Sequence, residues 1–259
     1  MALTGLTRKG VRLNQKLALV FGGSRGIGAA CVRVLARDGF HVAFTYNANA
    51  DQARDLAKAV TRASQGSGVT FHAVDIRQPD AVANVFAAAA KEFGQAPSCV
   101  LANAGINVPP APIAQFDPGN FRMLVDVNVV GAFNVLREAA NRVQDGGTII
   151  AVSTTMVRHA VPGLGPYAAT KAAVECLVRS MAKELAARKV RVNAVAPGPV
   201  DTDLFHAGKS DEAKQRSAAL SPFNRIGTPE EIAEVVAYLA SAKASWVHGQ
   251  IVQANGGLI

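Results

Sequence analysis

The 259-residue chain is 49% apolar and only 18% charged, a balance that suits a packed globule and argues against disorder. Its formal charge of +8 comes from Lys and Arg spread along the chain without like-charge runs or interleaved aromatics, so no nucleic-acid partner is implied. No apolar run is long enough to cross a bilayer and the N-terminus lacks the apolar stretch of a secretory signal, so no membrane partner and a cytoplasmic setting are expected.

In chain order, residues 1–16 read as a short, flexible basic arm. Short apolar segments follow at 17–21, 41–46, 69–74, 98–101, 148–153, 191–196 and 250–253, each with strand character. Between them, helical periodicity occupies 27–38, 50–64, 79–93, 119–143, 167–188 and 229–240. Near-continuously apolar strands alternating with helices predict an α/β protein with a seven-stranded parallel sheet covered by helices on both faces. No linker divides the chain, so residues 17–259 read as one doubly wound domain. Residues 200–221 break the rhythm with a polar, weakly helical stretch after a strand end, where such sheets bind ligands. That stretch is a candidate lid, an ordinary surface insertion being the alternative. Within it Leu204 and Phe205 offer apolar contact, while Lys209 and Lys214 either meet an anionic substrate or carrier or are ordinary amphipathic patterning. Cys31, Cys99 and Cys176 are widely spaced among apolar neighbours and read as buried free thiols. The five histidines are scattered, so no metal is assigned.

The first strand runs into Gly22-Gly23-Ser24-Arg25-Gly26-Ile27-Gly28, which opens the first helix. Glycines at 22, 26 and 28 permit a tight turn and let backbone N–H groups approach a pyrophosphate at the positive end of the helix. This placement between strand and helix points to a dinucleotide. The second strand ends at Tyr46-Asn47, without the carboxylate that commonly holds a ribose 2′-hydroxyl. Arg25, unless it merely faces solvent, supplies a guanidinium for a 2′-phosphate, which favours NADP(H). Asp75-Ile76 and Asn103-Ala104-Gly105 follow the third and fourth strands on the ligand side, as cofactor contacts or as turn chemistry.

Tyr167 and Lys171 stand four apart at the start of a helix and share one face. A hydride added to a carbonyl needs a proton donor for the oxygen, and an ammonium beside a phenol is expected to lower its pKa toward that task. Ser153 and Thr154 at the end of the fifth strand offer hydroxyls for the developing charge. Asn128, inside the predicted helix 119–143, is locally unfavourable there and is expected to disturb it, exposing a carbonyl or holding water.

Taken together, the glycine loop, Asn103-Ala104-Gly105, Asn128, Tyr167-x-x-x-Lys171, Pro197-Gly198 and the late stretch Trp246 to Gln250 before Asn255-Gly256-Gly257 resemble the short-chain dehydrogenase/reductase family over nearly the whole chain. The pattern is most similar to the 3-oxoacyl carrier-protein reductases and their small-molecule relatives. The resemblance implies a Rossmann-type fold, Tyr167 as acid/base, and Lys171 on the nicotinamide ribose, depressing the tyrosine pKa. It further implies that Asn128 holds a relay water, that Pro197, Gly198 and Val200 line the nicotinamide side, and that Thr202 touches its carboxamide. Homotetramers built through the helices at 119–143 and 167–188 are the family's usual assembly. Three positions depart from the family pattern: Phe21 replaces a threonine, Ala102 replaces an asparagine, and Thr154 stands where a catalytic serine is usual, with Ser153 as second choice.

The reaction expected is reduction of a carbonyl to an alcohol, or the reverse, on a small molecule or an acyl thioester such as a 3-oxoacyl thioester. Two alternatives are a non-catalytic NADP(H)-binding sensor and an NAD-dependent alcohol or sugar dehydrogenase. The first has no need of Tyr167, Lys171 and Asn128 together, and Arg25 with the missing acid speaks against the second.

Overall fold

Leu17–Phe21 is buried at every position, as a strand covered on both faces must be, and it forms an inner strand of the sheet, β3. The computed structural model describes residues 15–64 and 66–259, with the backbone of two short strands, β1 (Leu6–Thr7) and β2 (Val11–Arg12), that pair antiparallel. Most of the basic arm read at 1–16 lies outside the described residues. After β3 come α1 (Gly26–Arg37), β4 (His41–Tyr46), α2 (Ala50–Ala63), β5 (Val69–Ala73), α3 (Pro79–Phe93) and β6 (Cys99–Ala102). The chain continues through α4 (Pro118–Val125), α5 (Ala132–Arg142), β7 (Thr148–Val152), α6 (Gly165–Glu184) and β8 (Arg191–Pro197). It ends with α7 (Asp203–His206), α8 (Asp211–Ala219), α9 (Pro229–Ala240) and β9 (Ile251–Ala254).

The seven long strands pair in parallel, in the order β5-β4-β3-β6-β7-β8-β9. One face packs on residues of α1, α2 and α9 such as Val32, Leu56 and Val236, and the other on residues of α3, α5 and α6 such as Phe86, Leu136 and Val178. This is the seven-stranded, doubly wound sheet that the alternation predicted. The helix expected at 119–143 is continuous but changes pitch, with a π turn over Asp126–Gly131 between α4 and α5. Asn128 lies in that turn, and such one-turn widenings recur at functional sites. One expectation fails. Cys31 and Cys99 are buried, but Cys176 is exposed, because α6 turns Val174, Val178 and Met181 inward and leaves position 176 on its outer side.

Gly28 shows how tightly the first turn is built. A Cβ there would lie 2.0 Å from the Gly22 carbonyl oxygen and 2.7 Å from Asn103 Nδ2, so helix and loop meet where only hydrogen fits. Gly28→Ala must displace backbone and should lower stability by roughly 1–3 kcal/mol, the range for overpacked sites, read as a lower denaturation midpoint.

Candidate active site

From β3 the chain winds to β4 and β5 on one side, whereas β6 to β9 build outward on the other. The strand order therefore reverses between β3 and β6, and their carboxyl ends diverge into a crevice. β3 delivers the glycine loop to it and β6 delivers Asn103, Ala104 and Gly105. The loop is moored on both sides. Asn103 Nδ2 donates to the Gly22 carbonyl at 2.7 Å, while Gly22 N–H donates to Thr45 Oγ1 at 3.0 Å and Gly23 N–H to the Thr45 carbonyl at 2.8 Å. Gly22 has φ of 75°, and a Cβ on it would sit 2.8 Å from Ala104 Cα. Both facts demand glycine.

The crevice opens into a cavity of about 410 Å³. Gly22, Ser24, Arg25, Gly26 and Ile27 line one wall, Tyr46 and Asn47 the end of β4, and Asp75 and Ile76 the end of β5, with Asn103, Ala104 and Gly105 opposite. No side chain caps the first turn of α1, so its backbone N–H groups are open to an anion. Arg25 is exposed on the wall. A second guanidinium, Arg77, lines the same cavity, a residue that reading the sequence missed and whose signal was its place just past a strand end. It binds Asp75 through Nε at 3.0 Å and Nη2 at 2.6 Å and holds that carboxyl below its usual pKa. The residues fit a dinucleotide with a 2′-phosphate: a glycine cradle, an uncapped helix start, two guanidiniums and no carboxylate after β4. Gly28 lies beneath the loop, in neither cavity wall.

A smaller cavity, about 220 Å³, continues from the crevice and shares Ile27, Asn103, Gly105 and Thr202 with it. Tyr167, Lys171, Ser153, Thr154, Pro197, Gly198 and Val200 line it. Tyr167 and Lys171 lie one turn apart at the start of α6. The Tyr167 hydroxyl has no hydrogen-bond partner among the described residues, whereas Lys171 Nζ donates to the Val152 carbonyl at 2.9 Å. Burial sets both protonation states. It raises the Tyr167 phenol to about 12 and lowers the Lys171 ammonium to about 8. The expected depression of the tyrosine by the lysine is therefore not the state of this pocket. Removal of both groups from water dominates, and the lysine's hydrogen bond goes to the end of β7.

The hydroxyls at 153 and 154 are separated by their partners. Ser153 Oγ donates to the buried Glu175 Oε1 at 2.7 Å, a bond that commits its proton to α6. Thr154 Oγ1 accepts from Met156 N–H at 3.3 Å, which leaves its own proton for the pocket. The side chain of Asn128 is fully engaged: Oδ1 accepts from Ile106 N–H at 2.8 Å, and Nδ2 donates to the Ile106 carbonyl at 2.9 Å and to Thr170 Oγ1 at 3.2 Å. It clamps the segment after β6 to α6. Gly105 lies where a Cβ would come 3.1 Å from Asn128 Oδ1 and 3.3 Å from Lys171 Nζ, so these groups crowd one point.

The stretch read as a lid carries α7 and α8, with Thr202 as N-cap of α7, its Oγ1 accepting from Phe205 N–H at 3.1 Å. Thr202 also approaches the glycine loop, since a Cβ on Gly26 would lie 3.2 Å from its Cγ2. Lys209 lines the smaller cavity, whereas Lys214 is paired with Asp211 at 2.8 Å and does not. A larger cavity of about 690 Å³ opens beside Thr148 and Arg191, at the amino ends of β7 and β8. Its guanidinium is already bound to the carbonyls of Leu239, Ser241 and Ala244, so size alone does not mark the site. Among the described residues no group of His, Cys, Asp or Glu could hold a metal ion, and no helix is long and apolar enough to cross a membrane.

Residues 22–259 match the family model described as enoyl-(acyl carrier protein) reductase. The chain is 39% identical over 254 residues to a short-chain type dehydrogenase/reductase of Picea abies, covering 95% of this chain and 93% of the relative. It is 37% identical over 255 residues to an NADPH-dependent aldehyde reductase-like protein, chloroplastic, of Arabidopsis thaliana, covering 94% of each. Among solved structures, a blue fluorescent protein from a metagenomic library in complex with NADPH superposes with a TM-score of 0.87 at 32% identity, over 95% of this chain and 98% of that one.

A lysine whose folded pKa is depressed binds fewer protons than its unfolded counterpart between about 8 and the ordinary 10.5. Folding stability contributed by Lys171 should therefore rise with pH through that window, because the unfolded chain alone keeps the proton there. In cofactor-free protein, denaturation of the wild type and of Lys171→Met across pH 7 to 10.5 should show the wild type gaining relative to the variant. A flat difference would place the lysine at an ordinary pKa.

Proposed function

The chain belongs to the short-chain dehydrogenase/reductase family, and on that premise we propose that it is an NADPH-dependent reductase of small aldehydes or ketones. The observation that carries this reading is the continuity of the two cavities. A crevice fitted to a dinucleotide opens directly onto a pocket where a phenol, an ammonium and an uncommitted hydroxyl meet. A protein that only sensed the dinucleotide would have no use for that second pocket. The cofactor is NADP(H), a reading supported by Arg25 and Arg77 on the crevice wall and by relatives titled for NADPH.

The bound nicotinamide supplies the hydride, or accepts it in the reverse direction. Tyr167 delivers the proton to the carbonyl oxygen, and its raised pKa keeps it fully protonated at neutral pH, as reduction requires. A high pKa also weakens the driving force for giving the proton up. Lys171, one turn along the helix, offsets this as phenolate forms, and its own pKa near 8 lets it exchange a proton close to neutrality. Thr154 donates a hydrogen bond to the same oxygen and stabilises its growing charge. Ser153 positions Glu175 and stays out of the chemistry. Asn128 positions Lys171 by clamping Ile106 and Thr170 around it, and its π turn is the place for a relay water. Pro197, Gly198, Val200 and Thr202 flank the nicotinamide, while Asp75, Ile76, Tyr46 and Asn47 surround the adenosine end. Residues 200–221 act as the lid that selects the substrate. A cytoplasmic setting is our reading of the sequence; the Arabidopsis relative, by contrast, is named chloroplastic.

We also read the protein as a homotetramer through α4 to α6. Phe121, Met123, Val130 and Phe133 are between 42% and 47% exposed there, an apolar face that an interface would cover. Light scattering should then give four times the 26.9 kDa of the chain.

The test is the initial rate with NADPH and NADH against a small aldehyde, a small ketone and a 3-oxoacyl thioester, whose reacting end alone needs to enter the pocket. NADPH should be preferred at least ~10-fold, and Arg25→Ala should raise KM for NADPH by roughly that factor, the worth of a charged hydrogen bond, while KM for NADH changes little. Tyr167→Phe should lower kcat by ~100- to 10,000-fold with NADPH binding retained. Thr154→Val should lower it by ~100-fold or more and Thr154→Ser should restore most of the loss. Tight NADPH binding with no turnover of any carbonyl would replace this reading by the sensor.

A further inference from the structure

The walls of the smaller cavity that do not belong to the reacting groups are largely apolar, with Met156, Val161, Leu164 and Leu220 among them and Asn107 and Ser217 as neutral polar exceptions. One cation enters this surface from the lid. Lys209 follows α7, is partly buried, and lines the cavity, yet makes no ion pair among the described residues. Its nearest basic neighbours in the lid are paired: His206 lies 2.6 Å from Asp201, and Lys214 lies 2.8 Å from Asp211. Lys209 Nζ instead donates to the Phe205 carbonyl at 2.5 Å and sits 4.5 Å from the centre of the Phe205 ring. An ammonium has three donors, so two remain. No carboxylate is among the lining residues. Burial lowers the pKa of Lys209, the mark of a charge taken from water without a partner in return.

A half-buried ammonium against apolar walls calls for an anion. A single positive charge with two free N–H groups matches the charge and the two oxygens of a carboxylate better than a phosphate dianion, which a lone lysine leaves half neutralised. The volume, about 220 Å³, falls below the ~300–1,000 Å³ typical of pockets for drug-sized ligands, so the body between the two ends is small. From this we infer that Lys209 binds a carboxylate of the substrate, which is a small aldehyde or ketone carrying that carboxylate on the end remote from the reacting carbonyl. The inference rests on the carbonyl-reductase reading for its carbonyl and on Lys209 alone for its acid.

The experiment compares para-carboxybenzaldehyde with its neutral methyl ester as substrates for the NADPH-loaded protein, in the wild type, Lys209→Met, Lys209→Arg and Lys214→Met. Wild type should prefer the acid. Lys209→Met should lower the ratio of kcat/KM for acid over ester by ~10- to 100-fold, the worth of a hydrogen-bonded charge, mostly through KM of the acid. Lys209→Arg should restore part of it, and Lys214→Met, which removes a charge outside the cavity, should leave the ratio alone. A fall of similar size for acid and ester, or an equal effect of Lys214→Met, would overturn the inference while leaving the reductase reading in place. Calorimetry supplies the readout independent of turnover, by titrating benzoate and benzamide into the same NADPH-loaded proteins. A benzoate affinity that exceeds that of benzamide only when Lys209 is present supports the anion site even if neither aldehyde is reduced, an outcome that would remove the reductase reading instead. Equal affinity of the two ligands in the wild type would overturn the site.

Discussion

Backbone meets backbone at the reversal between β3 and β6, and the rest of the site is arranged around that approach. Gly22 would strike Ala104 with any side chain, and Gly28 would strike the Gly22 carbonyl. These contacts bring the start of α1, the end of β6 and the edge of β4 to one place, where Asn103 and Thr45 tie the loop down with three hydrogen bonds. A parallel sheet supplies the diverging strand ends, but only glycine lets the loop lie low enough for its N–H groups to form a floor. The departures at Phe21 and Ala102 fit the same economy of space. Both are buried in the sheet core, Phe21 against Phe86, and their side chains do what packing asks there.

The second cavity depends on a different balance. Tyr167 and Lys171 are both held where the neutral form is favoured, which pushes their pKa values toward and past each other, to about 12 and about 8. In water the phenol would be the slightly stronger acid of the two; here the ammonium is. Protons therefore rest on the tyrosine at neutral pH, the arrangement a reductase needs, and the lysine is the group that titrates near the working range. Val152, at the end of β7, accepts the lysine's hydrogen bond and so fixes the ammonium without neutralising it.

The fold was legible from period alone, because the five inner strands are buried along nearly their whole length and each helix is amphipathic or small-residue-rich; predicted and observed strands differ by a residue or two at their ends. The glycine loop and Tyr167 with Lys171 were legible too, since their spacing within one local element is what the chemistry uses. What was not legible depends on partners distant in the chain. Ser153 and Thr154 look alike until Glu175, 22 residues on, takes the first. Asn128 could be seen as a misfit in a helix, but not as a clamp on Ile106 and Thr170. Arg77 shows itself only once β5 is placed beside β4, and Cys176 only once the inward face of α6 is known.

Lys209 and Lys214 make the same point with more force, since they are five residues apart and chemically identical in sequence. A short α7 ending at His206, a Gly208 with φ of 69° and a new helix from Asp211 place one in the cavity lining and the other outside it, beside Asp211. The outer lysine, itself half-buried, has Asp211, and ion pairs near the surface are generally of little energetic consequence. The inner lysine gives up hydration and gains only a carbonyl and the face of the Phe205 ring. Leucine or methionine at that position would pack against Phe205 and Leu220 without that cost, and the neighbouring lining is already of that kind. A charge kept in an apolar wall at a cost to stability is explained by what it meets when the pocket is filled. On the proposed reading the two cations of this pocket divide the work: Lys171 governs a proton at the reacting end, and Lys209 sets where a substrate carries its negative charge.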